Sequence, residues 1–200
     1  MKKATKLIYI HGGSGVGKST LGNKILEDLN QLYGNNSAVL IDQDTFYYKD
    51  KPIIEYDNVK EANWDTLDAI DMNLFNERIS EFMKLDFSFV IVTGFALRQM
   101  HLSANLEILL DYNMTPENAR EKMILARQQS KGYKGEKAIK DRKRVEMIVW
   151  PYYEVTLKSL RNFTKIDVFD EKGERIPVET LSGQLLRLCI TLFSETETMF

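Results

Sequence analysis

Eight consecutive residues carry the clearest chemistry in this sequence: Gly12, Gly13, Ser14, Gly15, Val16, Gly17, Lys18 and Ser19. They satisfy the spacing G-x-x-x-x-G-K-S/T, a loop whose backbone N–H groups can cradle phosphate oxygens. Glycine supplies the backbone freedom for that close approach. A helix expected to begin near Lys18 aims the positive end of its dipole at the same place. Lys18 offers a flexible cation to the β- and γ-phosphates. The Ser19 hydroxyl is an expected Mg²⁺ ligand, and Thr20 follows as a second hydroxyl. Residues 12–20 are therefore expected to bind a nucleoside triphosphate with its metal.

A second group of chemically capable residues stands at Asp42-Gln43-Asp44-Thr45-Phe46-Tyr47. It falls just after the second apolar run, and in open α/β folds the ligand crevice lies outside the carboxyl ends of the strands. Asp44 is expected near the γ-phosphate end of a bound nucleotide. A carboxylate there can accept the proton of an attacking hydroxyl or help Ser19 hold the metal. Asp42 reads instead as a solvated turn acid, and His11 as a packed strand-end residue. Two other strings imitate nucleotide-protein signatures. Thr164-Lys165-Ile166-Asp167 has the guanine-reading form N/T-K-x-D, but its acid falls inside an expected strand. Leu181-Ser182-Gly183-Gln184 is one glycine short of the transporter ATPase signature and lies far past any acidic strand end. Neither a GTPase switch nor a transport motor is favoured.

These groups need a scaffold that carries them to one edge. Apolar runs at 7–10, 38–41, 87–92, 106–110 and 166–169 read as strands, the third continuous enough to be buried on both faces. Between them, residues 18–33 repeat Leu21, Ile25, Leu29 and Leu32 at helical spacing. Residues 66–85 place Leu67, Ile70, Leu74, Phe75, Ile79 and Phe82 on one helical face. Thr115-Pro116-Glu117 has the cap, the proline and the acid of a helix start, and that helix should run towards Gln129. A long helix to about Leu160, kinked near Pro151, and a last helix over 178–193 complete the pattern. Residues 46–61 show no period and read as a surface loop. Residues 131–137, rich in glycine and lysine, read as a mobile connection. The alternation predicts one α/β domain over residues 1–200 with the three-layer P-loop architecture: a five-stranded parallel sheet, helices on both faces, and a small lid at about 128–145.

The 200 residues are 44% hydrophobic and 28% charged, the balance of a soluble globular chain able to bury a core without staples. A net charge of −2 leaves no general basic surface, so neither nucleic acid nor an anionic membrane is an expected partner. No run reaches the roughly 20 apolar residues of a membrane span, and residues 1–6 are too short and polar for a signal peptide. The one cysteine, Cys189, cannot close an internal disulfide and reads as a buried hydrophobe. A cytoplasmic location is the expectation.

Three further strings add a resemblance. Asp44-Thr45-Phe46-Tyr47 resembles the D-x-F-Y element of the uridine kinase family. Asn63-Trp64-Asp65-Thr66-Leu67-Asp68-Ala69-Ile70-Asp71 resembles that family's N-F-D-H-P-D-A-F-D element. Ile148-Val149-Trp150-Pro151-Tyr152-Tyr153 resembles the segment after the lid in nicotinamide riboside kinases. With the phosphate loop, these matches run from about residue 7 to residue 168. The resemblance implies an ATP- and Mg²⁺-dependent kinase acting on a hydroxyl of a small, nucleoside-like acceptor. By position it implies that Asp44 engages a 5′-hydroxyl and that Asp65 holds the sugar hydroxyls, as a carboxylate can take both bonds of a vicinal diol. It places Tyr47 and Trp64 near the nucleoside and makes Arg127 a lid-side arginine on substrate or phosphate. Lys18, Asp44 and Arg127 are then the expected catalytic residues, and Ser19 and Asp44 the metal partners. Arg120, seven residues before Arg127, reads as a surface ion-pair residue. The run Lys131, Lys134, Lys137, Lys140, Arg142, Lys143 and Arg144 spans the expected lid, with some members available to clamp phosphate and most on a solvated face.

The resemblance breaks at two places. After the third strand the family has an E-G-I/F-L element, and here Thr93 stands in the glutamate's place before Gly94. A hydroxyl cannot supply charge or act as a base at neutral pH, which opens a second reading: a nucleotide-binding P-loop protein with lost or altered kinase activity. A longer segment with a base-reading hairpin is also expected between the long helix and the third strand, where only residues 84–87 remain. That shortening leaves uridine, cytidine, nicotinamide riboside and a non-nucleoside sugar or vitamin all open as acceptors. Arg98 and His101 follow the third strand and are candidates for substrate contact, though His101 reads as a surface loop residue.

Overall fold

The computed structural model describes residues 4–95, 97 and 100–197. In chain order its elements are β1 (Lys6–Gly12), α1 (Lys18–Tyr33), β2 (Ala38–Asp42), β3 (Ile53–Tyr56), β4 (Val59–Ala62), α2 (Met72–Lys84) and β5 (Phe89–Gly94). There follow β6 (Leu106–Asp111), α3 (Pro116–Lys131), α4 (Glu136–Arg144), α5 (Trp150–Ser159), β7 (Thr164–Asp167) and α6 (Val178–Glu197).

Five of the strands form a parallel sheet in the order β2-β5-β1-β6-β7. Alternation of side chains across the sheet explains its two cores. Ile8, Ile10 and Ile91 face α1 residues Leu21, Ile25 and Leu29. Leu7, Tyr9, Val90 and Val92 face the other way, onto α2 residues Phe75 and Ile79. Both faces are covered, so β5 is buried along its whole length, as its unbroken apolar run requires. The register matters for function. Ile10 pairs with Thr93, and Asp42 also pairs with Thr93, so the ends of β1, β2 and β5 emerge together at one edge.

Several sequence expectations are corrected. Residues 46–61 are not an unstructured loop: β3 and β4 pair antiparallel across Asp57 and Asn58, with φ of 44° and 60°. Two central residues at positive φ make the tight hairpin turn whose twist matches the strands. The second helix begins at Met72, not near residue 66, because Asp71 caps it by accepting from the Leu74 N–H at 3.0 Å. The residues before the cap are held elsewhere. Tyr48 N–H donates to the Ala69 carbonyl and Asp71 N–H to the Phe46 carbonyl, each at 2.9 Å. Leu32, placed with the buried face of α1, is 52% exposed. The connection at 131–137 is short: α3 ends at Lys131 and α4 begins at Glu136, with Gly132 and Gly135 at positive φ between them. The kink near Pro151 is a π-helical turn over Val145–Val149, where the ladder loosens just ahead of a proline that has no N–H to give.

Candidate active site

The phosphate loop joins the buried end of β1 to α1. Gly17 has φ of 105°, a left-handed conformation that side chains resist. Gly15 has φ of 79°, and a Cβ there would lie 2.8 Å from Cβ of Ala126, so glycine lets the loop touch α3. That contact sets the next residue of α3 against the loop: Arg127 Nη1 donates to Ser14 Oγ at 2.9 Å. No side chain caps α1, so its first N–H groups face the loop uncommitted, as an anion site needs. Val16 buries its side chain in the core and leaves only backbone to the loop. Its carbonyl accepts from Arg175 Nη2 at 2.8 Å. Lys18 Nζ donates to the Gly13 carbonyl at 3.0 Å. Burial lowers its pKa from the ordinary value, opposed by the charges of Asp44 and Asp42.

The carboxylate beside Ser19 is Asp42: Ser19 Oγ donates to Asp42 Oδ2 at 2.7 Å. Asp42 keeps the turn role read for it and adds this contact with Ser19. Its Oδ1 accepts from the Asp44 N–H at 3.1 Å, which fixes the turn after β2. Asp44 lies with Lys18 on the cavity wall. Burial raises the Asp44 pKa, Lys18 opposes that rise, and the like charge of Asp42 adds to it. Thr20 is exposed beside the loop.

On the acceptor side, Asn63 is buried and orders the next two residues. Its Oδ1 accepts from the Asp65 N–H at 3.1 Å and its Nδ2 donates to Thr66 Oγ1. Tyr47 donates to the Trp64 carbonyl at 2.6 Å, and the two rings meet edge to face at 5.2 Å. Lys51 Nζ stands 3.7 Å from the Trp64 ring centre. Asp65 is almost fully buried, with both oxygens engaged by arginines. Arg127 Nη1 reaches Oδ1 at 3.2 Å, and Arg144 Nε reaches Oδ2 at 2.6 Å. Arg127 Nε and Nη2 also donate to Asp141 Oδ1 at 3.3 and 3.0 Å. Burial alone would lower the Arg127 pKa, but Asp65 and Asp141 more than offset it and leave it raised.

The remaining lid cations divide. Arg142 holds Glu121 of α3 through two bonds, at 2.6 and 2.8 Å, and Lys143 holds Asp57 of the hairpin turn at 2.6 Å. Lys131, Lys137 and Lys140 line the cavity. Burial, with Arg127 nearby, lowers the Lys131 pKa. The whole cavity encloses about 910 Å³, and Gly13, Ser14, Lys18, Asp44, Tyr47, Trp64, Asp65 and Arg127 share its wall.

Other singled-out residues are placed as follows. Thr93 is fully buried, with its methyl group against Gly22 of α1, and its hydroxyl has no hydrogen-bond partner among the described residues. His11 is buried beside Glu107. His101 is exposed, and Arg98 lies outside the described residues. Arg120 does not match its surface ion-pair expectation: its Nε is buried with no hydrogen-bond partner among the described residues. Thr164-Lys165-Ile166-Asp167 is β7 itself, with Lys165 paired to Asp111 at 2.7 Å. Ser182, inside the transporter-like string, donates to Asp28 at 2.6 Å. Cys189 is buried, which pushes its thiol up to about 12. Sequence reasoning did not single out Asp141 or Arg175, read Asp42 as a turn acid only, and named Arg144 only as one of the lid cations. The available signal for Asp141 was an acid set inside a basic run.

Fold and loop together define the class: a P-loop three-layer α/β protein with its phosphate loop at the edge where β1, β2 and β5 end. Comparison with known proteins sharpens this. Uridine kinases of Staphylococcus aureus strains JH9 and Newman are each 39% identical to the chain over 79 residues, 40% of this chain and 36% of the relative. The match thus spans little more than a third of those relatives' length. No family model matches. A protein provisionally described as a fructose transport system kinase, from Silicibacter sp. TM1040, superposes with a TM-score of 0.56 at 13% identity. That likeness covers 81% of this chain and 89% of the other. A gluconokinase from Sinorhizobium meliloti 1021 gives 0.50 at 17% identity, covering 96% and 98%. The chain is uridine kinase-like in sequence over the matched stretch, and it has the fold of P-loop kinases. Among the described residues no helix is long and apolar enough to cross a membrane.

Proposed function

We propose that this chain is an ATP- and Mg²⁺-dependent kinase that phosphorylates a hydroxyl of a small, nucleoside-like acceptor. The observation that carries the reading is the single cavity whose wall joins the phosphate loop to Asp44, Tyr47, Trp64 and Asp65. A phosphoryl group at the loop and a hydroxyl at Asp44 would share that space. The 39% identity to uridine kinases supports the same class of acceptor.

In this reading Asp44 accepts the hydroxyl proton. Its raised pKa makes it a stronger base than an exposed aspartate, while the charge of Lys18 opposes that rise. Lys18 and Arg127 neutralise charge on the transferring oxygens. Ser19 and Asp42 are hard oxygen donors already in contact, a set that suits Mg²⁺. Among the described residues no three His, Cys, Asp or Glu side chains converge as a metal cage. Mg²⁺ needs none, since it keeps waters and uses one or two carboxylates with the phosphates. When bound, Mg²⁺ would supply positive charge to the nucleotide phosphates. Tyr47 and Trp64 offer aromatic surface to a base or ring, and a diol at Asp65 would have to share its oxygens with Arg127 and Arg144.

Thr93 favours the second reading, a nucleotide-binding protein without kinase turnover, because its hydroxyl is sealed in the core where the resemblance calls for an acid. An ADP-release screen separates the two. Uridine, cytidine, nicotinamide riboside and a panel of sugars and vitamins are offered with ATP or GTP. We expect a phosphorylated product from ATP with at least one acceptor, and a loss of about 10²- to 10⁴-fold in Asp44→Ala. Full activity in Asp44→Ala would remove its role. ATP binding without any product would establish the second reading.

A further inference from the structure

The lid carries an acid as well as cations. Asp141 lies on α4, in the middle of the basic run, with its side chain 2% exposed. Its Oδ1 accepts from both Nε and Nη2 of Arg127 on α3. A guanidinium is planar and rigid, so holding those two nitrogens determines where the third points. That third nitrogen, Nη1, meets Ser14 Oγ of the phosphate loop and Asp65 Oδ1 of the acceptor segment. The arginine's donors are divided: one edge is anchored to the lid, and the other faces loop and cavity. Asp141 Oδ2 is buried with no hydrogen-bond partner among the described residues. A buried carboxylate left half-paired is a poor packing element, since an apolar side chain of similar size would serve the fold as well or better.

We propose that Asp141 is a positioning residue that ties α4 to the phosphate loop through Arg127, so that Arg127 stands at the loop only while the lid helix is docked. The catalytic consequence rests on the kinase reading above; the effect on nucleotide binding does not. Asp141 lines the same cavity, with its side chain almost wholly buried against Arg127, and in this scheme it acts through Arg127.

The test is a double-mutant cycle on the full chain: wild type, Asp141→Asn, Arg127→Met and the double variant. Asn keeps the shape and an acceptor oxygen while removing the charge. Affinity for Mg²⁺-ATP is measured by calorimetry, which needs no acceptor. Turnover is measured with whichever acceptor the screen finds. Asp141→Asn should weaken ATP binding about tenfold in the wild-type background and leave it unchanged when Arg127 is already Met. Where an acceptor is found, kcat should fall about 100-fold with acceptor KM nearly constant, again only in the presence of Arg127. Equal effects in both backgrounds, or no effect of Asp141→Asn on ATP affinity, would overturn the proposal. A purely structural ion pair would couple the two residues in the thermal midpoint alone and leave ATP affinity unchanged. If Asp141→Asn does not fold, Asp141→Glu carries the same cycle, because it keeps the charge and displaces it by one methylene. Absence of any acceptor would count against the kinase reading alone, since the affinity cycle decides Asp141 separately.

Discussion

Arg144→Met is a demanding test of how the acceptor side is held together. Arg144 binds three groups: Asp65 Oδ2 at 2.6 Å, Glu61 Oε1 at 2.5 Å and the Ala62 carbonyl at 3.0 Å. Methionine keeps the apolar stem and removes all three bonds. The bonds are unequal. Glu61 is 29% exposed, so water partly replaces its partner and its share is at most about 1 kcal/mol. Asp65 is 7% exposed, and a charge-assisted bond to such a group is worth about 1.5 to 3 kcal/mol. It is not fully orphaned, because Arg127 still reaches Oδ1 at 3.2 Å. That places the loss below the roughly 3 to 5 kcal/mol of a broken buried pair. With a smaller share for the carbonyl, the expected destabilisation is about 3 kcal/mol. For a chain of this size about 1 kcal/mol shifts the midpoint by 2 to 4 °C, so the midpoint should fall by about 6 to 12 °C. Thermal unfolding measures this, with a urea titration to check that the slope is unchanged. Adding Asp65→Asn should recover part of the loss by removing the uncompensated charge. A shift below about 2 °C would refute the reasoning, because it would mean that Asp65 is solvated.

Two other perturbations follow from the same geometry. Asp44 has a raised pKa in the folded chain, chiefly through burial. The folded state therefore holds that proton more tightly than the unfolded state, and ionised Asp44 lowers stability above the folded pKa but not below the unfolded value. Asp44→Asn should raise the thermal midpoint at pH 7, and the gain should vanish as pH falls below about 3.9. A gain that grows toward acid would contradict this. Lys18→Ala should weaken ATP binding by about 10- to 100-fold, the worth of a charge-assisted contact, with little loss of thermal stability, because burial already disfavours its charge. Calorimetry and a melt on the same sample check both halves.

The parts of the site that were legible in the sequence are those built from adjacent residues. The turn at Asp42 and Asp44 was placed from its position after a strand, and the Asn63-Trp64-Asp65 string from its likeness to known kinases. The hairpin of β3 and β4 was also within reach. Asp57-Asn58 stands between Ile53-Ile54-Glu55-Tyr56 and Val59-Lys60-Glu61-Ala62, a two-residue turn between strand-like runs. The start of α2 was less accessible. Residues 67–70 satisfy a helical period, but their backbone is taken by residues 46–48, and a cap at Asp71 then decides where the helix begins.

The sequence by itself determined the phosphate loop. Its glycines, its lysine and the helix that follows are contiguous, so backbone freedom and the helix dipole act on one another without help from the rest of the chain. Tertiary structure alone decided which charges face each other around it. Ser19 and Asp42 meet because β1 and β2 both end beside β5. Ser14, Asp65, Arg127, Asp141 and Arg144 come together from four segments. A charged residue in a helical pattern reads the same whether it faces water or a buried partner. Only the packing removes the water, and with it the freedom of each charge to remain unpaired.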